Sequence, residues 1–128
     1  VGLAKDAEGQ GAMGVVLNAP ISNHNLRAVS AAVDIPVVIT VVNEDTSIAH
    51  RLESGAAIIN VAGGIETPTI VRKIRAEYPD IPIIATGGPT EESVAETIAA
   101  SITPSIPFIS TWFDIRIYAC SGFASGTI

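Results

Sequence analysis

Short apolar runs alternate along the chain with segments whose apolar residues recur every three or four positions. Val37-Val38-Ile39-Thr40-Val41-Val42, Ala56 to Val61 and Ile81 to Ala85 are unbroken enough to predict strands covered on both faces, as in a parallel sheet. Gly11 to Ala19, with Met13, Val15, Val16 and Leu17, predicts a first strand that ends at Asn18 and is closed by Pro20. The intervening segments read as helices. Leu26, Val29 and Val33 form one apolar stripe behind a cap at Ser22 or Asn23. Ile48, Ala49 and Leu52 form a second, started by Asn43-Glu44-Asp45-Thr46 and stopped by Gly55. Ile70, Val71, Ile74 and Tyr78 form a third, opened by Thr67-Pro68, where a missing N–H costs nothing. Val94, Ala95 and Ile98 form a fourth, with Thr90 as its cap and Glu91 and Glu92 in its first turn. Val1 to Gln10 is polar and reads as a loop or a frayed start.

The resulting order, βαβαβαβα in units of roughly 20–25 residues, is the pattern of a parallel α/β fold. An internal repeat supports it: Asp34-Ile35-Pro36-Val37-Val38-Ile39-Thr40 matches Asp80-Ile81-Pro82-Ile83-Ile84-Ala85-Thr86, an offset of 46 residues or two βα units. The repeat aligns Thr40 with Thr86 at the C-terminal ends of their strands, the end where ligands sit in parallel α/β folds. After residue 100 the pattern changes. Residues 101–128 hold Trp112 and all three phenylalanines, with only Asp114 and Arg116 charged. Ser105 to Thr111 and Phe113 to Ala119 read as two further strands with no room for a crossover helix, which predicts an antiparallel pair or an interface segment. The expectation is one domain over 1–128, with four βα units in 1–100 and a divergent, irregular tail.

Composition narrows the function. A hydrophobic fraction of 48% is globular, and a net charge of -6 argues against nucleic-acid binding. No apolar run reaches transmembrane length, and Val1 onward shows no basic-then-apolar leader, so a cytoplasmic protein without membrane contact is expected. One cysteine, Cys120, and two scattered histidines, His24 and His50, give no metal-ligand spacing, and nothing calls for a cofactor.

Asn18, Thr40, Asn43, Asn60 and Thr86 fall at or just past predicted strand ends, and Gly63, Gly64, Gly87 and Gly88 follow two of those strands. Together they offer hydrogen bonds and main-chain donors for a small anionic or sugar-like ligand at one concave mouth. Polar strand ends are equally ordinary turn chemistry. Ser22 beside His24 is a candidate hydroxyl nucleophile and base, although no G-x-S-x-G elbow is present. Cys120 is a candidate thiol nucleophile or a small buried hydrophobe.

Ile83-Ile84-Ala85-Thr86-Gly87-Gly88-Pro89-Thr90 resembles the glycine phosphate loop after the seventh strand of the 2-keto-3-deoxy-6-phosphogluconate aldolase group, and Asn60-Val61-Ala62-Gly63-Gly64 resembles the preceding strand end. The resemblance covers about residues 2–100 and implies the C-terminal half of a phosphate-binding (βα)8 barrel, a TIM-barrel-like (βα)4 half-barrel. It implies a lyase ancestry and a phosphorylated or carboxylate metabolite. Those aldolases form a Schiff base through a lysine at a strand end. Here the only lysines are Lys5 and Lys73, and Ile58-Ile59-Asn60 stands at the matching strand, so covalent lyase chemistry is not expected. The tail 101–128 does not match. The alternatives are a flavodoxin-like open sheet for the fold, and for the function a small esterase-type hydrolase or a non-catalytic oligomeric assembly. A half-barrel also leaves its inner sheet face and two edges uncovered, which predicts a homodimer or a higher homo-oligomer.

Overall fold

The computed structural model describes residues 1–86, 91–101 and 118–120. Four strands, β1 (Val15–Leu17), β2 (Val37–Val41), β3 (Ile58–Val61) and β4 (Ile83–Ala85), run parallel in chain order. Helices α2 (Asn23–Ser30), α3 (Ile48–Glu53) and α4 (Thr67–Glu77) connect them, and α5 (Glu91–Ser101) follows β4 and lies against α4. The α/β character and the parallel sheet expected from the apolar runs are therefore present.

The helix boundaries follow from local chemistry. Ser22 caps α2, its hydroxyl accepting the Asn25 N–H at 3.1 Å. Gly55 ends α3 with φ +102, a conformation that side chains rarely adopt, and a Cβ there would collide with Ser30. Pro68 sits in the first turn of α4. The start of α3 differs from expectation. Asn43 Oδ1 accepts the Asp45 N–H and the Thr46 hydroxyl, both at 3.2 Å, so the acidic stretch forms a side-chain-closed turn and the helix begins only at Ile48.

Strand alternation sorts the sheet residues into two faces. Val15, Leu17, Val37, Ile39, Val41, Ile59 and Val61 share one core with Leu26 and Val29 of α2, Ile48 of α3 and Ile70, Val71 and Ile74 of α4. Val16, Val38, Thr40, Ile58, Asn60 and Ile84 alternate with them on the other face. That face is not bare: Val16 and Val38 are buried, whereas Ile58 and Ile84 keep partial exposure. The expectation of a wholly open inner face is corrected for β1 and β2.

Two other expectations are overturned. Val1 to Gln10 is not a loop. Gly2–Gly9 forms a helix, α1, whose Ala4 and Ala7 are buried in the common core. Glu8 ties it down by accepting the Asp34 and Ile35 N–H groups on Oε1 at 2.7 and 3.1 Å. Its contact face is made of alanines, too small to produce a strong apolar stripe in the sequence. The second correction is in the tail. Tyr118–Cys120 forms β5, which pairs parallel with β1, placing Val15 opposite Tyr118 and Leu17 opposite Cys120, a parallel pairing the tail pattern does not predict. The full strand order is β4-β3-β2-β1-β5. The predicted strand Ser105 to Thr111 lies outside the described residues. No described helix is long and apolar enough to cross a membrane.

Candidate functional site

Parallel pairing brings the C-terminal ends of β2, β3 and β4 to one edge of the sheet, and with them three of the residues singled out in the sequence. Thr40 faces Asn60 directly in the β2–β3 register. Asn60 Nδ2 donates to Thr40 Oγ1 at 3.2 Å, and Thr86 Oγ1 donates to Asn60 Oδ1 at 3.2 Å. The Thr86 hydroxyl also lies 3.4 Å from the Val61 carbonyl, and its N–H donates to that carbonyl at 2.8 Å, extending the β3–β4 pairing one residue past β4. One amide thus bridges two hydroxyls through both of its ends, which fixes all three side chains in a row across three strands. The row lies half-buried on the face opposite the α2–α4 core. Asn18 follows β1 in phase with Val16, one step beyond the Leu17–Ile39 pair, so it stands on the same face next to Thr40, and it is exposed.

The glycines divide. Gly63 and Gly64 follow β3 at the same end. The Gly63 N–H is bound to Thr67 Oγ1 at 3.0 Å, and a Cβ at Gly63 would run into Cδ1 of the buried Ile70. Gly64 adopts φ +58 with open space around it and begins the 3₁₀ turn Gly64–Glu66. Gly63 is therefore a packing glycine and Gly64 a conformational one. Gly87 and Gly88 lie outside the described residues. Thr67, fully buried, was not flagged in the sequence beyond its place before Pro68. Its role comes from the return of its hydroxyl to the glycine turn.

Ser22 and His24 sit at the start of α2, at the same end of the sheet, and both are exposed. The Ser22 hydroxyl serves the helix cap, and among the described residues no hydrogen bond joins it to His24. His50 is exposed on α3, as its position between Ala49 and Arg51 predicts. Lys73 lies on the outer side of α4, donating to the Glu44 carbonyl at 3.0 Å and standing 3.6 Å from the Glu44 carboxylate. It is thus committed to the loop before α3 and not to the sheet. No cluster of His, Cys, Asp or Glu suited to a metal ion occurs among the described residues.

Two clefts flank the β2–α3 loop. One, of about 250 Å³, has Val41, Ile48, Ile70, Ile74 and Tyr78 among its walls and, of the polar strand-end residues, Asn43 alone. Desolvation pushes the Tyr78 phenol above its usual value of 10, and the Glu77 hydrogen bond and the Glu77 and Glu53 charges add to it. The other, of about 350 Å³, is more open and polar and includes Ser22. Its central side chain is Arg51, half-buried, whose Nη1 donates to the Ile21 carbonyl at 2.7 Å and to Asn23 Oδ1 at 2.8 Å. Nothing in the sequence pattern marks Arg51, because its partners are 28 and 30 residues away. Compared with known proteins, the chain matches no protein-family model and no curated protein.

Proposed function

We propose that the chain is a parallel half-barrel that binds a small phosphorylated or carboxylate metabolite at the C-terminal rim of its sheet, without covalent lyase chemistry. The observation that carries this reading is the Thr40–Asn60–Thr86 row. It is a set of polar groups held across three strands on the face away from the main helical core, at the end where parallel α/β folds take ligands. Asn60 has a second amide hydrogen and Thr40 a hydroxyl hydrogen to offer an oxyanion. The half-barrel part rests on strand order. Strands β1 to β4 lie in chain order. Right-handed crossovers between these sequential neighbours carry successive helices to one side, as in a half-barrel, whereas β5 returns to the far side of β1, the reversal of direction that a flavodoxin-like open sheet shares. The non-covalent part rests on Lys73, which is paired with Glu44 on the outside, and on the absence of lysine from β1 to β4. In this reading a second copy of the chain covers the partly exposed Ile58 and Ile84, making a homodimer or higher homo-oligomer.

Thermal unfolding in inorganic phosphate or acetate, against chloride at matched ionic strength, tests the ligand site. Either anion at several times its dissociation constant raises the midpoint by a few degrees. Asn60→Ala, compared with its own midpoint in chloride, loses at least about half of that increment because the bridging amide is gone. An increment of the same size in both proteins, or none in the wild type, overturns the proposal.

A further inference from the structure

We infer that the polar cleft between the β1–α2 and β2–α3 loops is a second small-oxyanion site, centred on Arg51 and separate from the Thr40–Asn60–Thr86 row. The cleft holds about 350 Å³, room for a phosphate or a small carboxylate. Its walls carry the side chains of Ser22, Thr46, Ser47, His50 and Arg51. The Thr46 hydroxyl hydrogen is spent on Asn43 Oδ1, which leaves the hydroxyls of Ser22 and Ser47 and the ring and guanidinium N–H groups of His50 and Arg51 as donors for an anion.

Arg51 is the decisive group. Its Nη1 is spent on the Ile21 carbonyl and Asn23 Oδ1, which anchor the guanidinium against the β1–α2 loop. Both partners are neutral, and among the described residues Arg51 forms no ion pair. A half-buried cation fixed by neutral acceptors keeps its charge uncompensated, and its other N–H groups match the paired oxygens of a carboxylate or phosphate. One acidic side chain, Asp45, also borders the cleft. Its own N–H turns back onto Asn43, and its carboxylate is exposed and makes no ion pair among the described residues, so it stands at the solvent side and weakens anion binding without occupying the guanidinium. Ser47 at the α3 N-cap makes no side-chain capping bond, leaving its hydroxyl available to a ligand.

The test is a residue-resolved NMR titration of the full chain with inorganic phosphate at constant ionic strength, with acetate as a second arm. Saturable shifts are expected at Ser22, Thr46, Ser47, His50 and Arg51. A tighter response to phosphate identifies a phosphorylated ligand, and a tighter response to acetate a carboxylate. Arg51→Gln weakens phosphate binding about tenfold, the loss expected for one charge-assisted contact. Because Arg51 also ties two loops together, His50→Ala is the companion variant: the side chain is exposed, the fold is kept, and binding falls by about threefold or more. Asn60→Ala leaves the shifts in this cleft unchanged, which separates this site from the rim. Absence of saturable shifts at these residues, or shifts unaltered in both the Arg51→Gln and His50→Ala proteins, overturns the inference.

Discussion

At the scale of single residues, chemically similar positions do different jobs. Gly63 and Gly64 read identically in the sequence, yet one is glycine for space and the other for angle. Alanine at 63 meets Cδ1 of Ile70, the far end of a side chain that borders a cleft and can shift, so Gly63→Ala costs about 1 kcal/mol, the low end for overpacking. Alanine at 64 meets nothing but must hold φ +58, costing about 1–2 kcal/mol. Urea unfolding of the two variants measures both. No loss for Gly64→Ala removes the backbone angle as the reason residue 64 is a glycine. The same divergence separates Thr40, Asn60 and Thr86, which share a hydrogen-bonded row, from Ser22, whose hydroxyl is engaged in capping. The sequence marks all four as polar groups near strand ends. Only the cross-strand register decides which of them meet.

At the scale of elements, strands and helices with large apolar stripes were legible, because burial in a parallel sheet demands unbroken Val and Ile runs and the helices between them demand Leu, Ile and Val at helical spacing. The 46-residue repeat aligns Thr40 with Thr86, but the register sets them two residues apart: Thr40 lies inside β2 beside Asn60, which pairs with Ile84, and Thr86 lies just past β4. Helix α1 was hidden because alanine buries well but signals weakly, and because Glu8 acts on Asp34 and Ile35, far along the chain. The parallel pairing of β5 was hidden because its partner β1 lies more than a hundred residues away in the sequence. The sheet's second face leads to a prediction at this scale. Val16 and Val38 are covered within one chain while Ile58 and Ile84 are only partly so, which leaves the β3–β4 end of the face for a second copy. Analytical ultracentrifugation at micromolar concentration is expected to show a dimer or larger species, and Ile84→Glu to shift it toward monomer. A wild-type monomer across that range removes the second copy.

At the scale of the whole molecule, one structural fact organises the functional reading: sequential parallel strands deliver their polar ends to a common edge. The rim of Thr40, Asn60 and Thr86 and the cleft around Arg51, lined by the β1–α2 and β2–α3 loops, both lie at that end, because each βα connection turns there. In the proposed reading the site binds its ligand without a Schiff base, since Lys73 is held on the outer surface by Glu44 and the strand ends offer amides and hydroxyls. The central claim is that these amides and hydroxyls form a ligand rim, and the side-chain amide of Asn60, followed by NMR during titration with phosphate or acetate, tests it most directly. The predicted result is cross-relaxation from that amide to the side chains of both Thr40 and Thr86 in the free protein, and a saturable shift as the anion is added. An amide that contacts neither threonine, or one whose resonance stays fixed throughout both titrations, would contradict it.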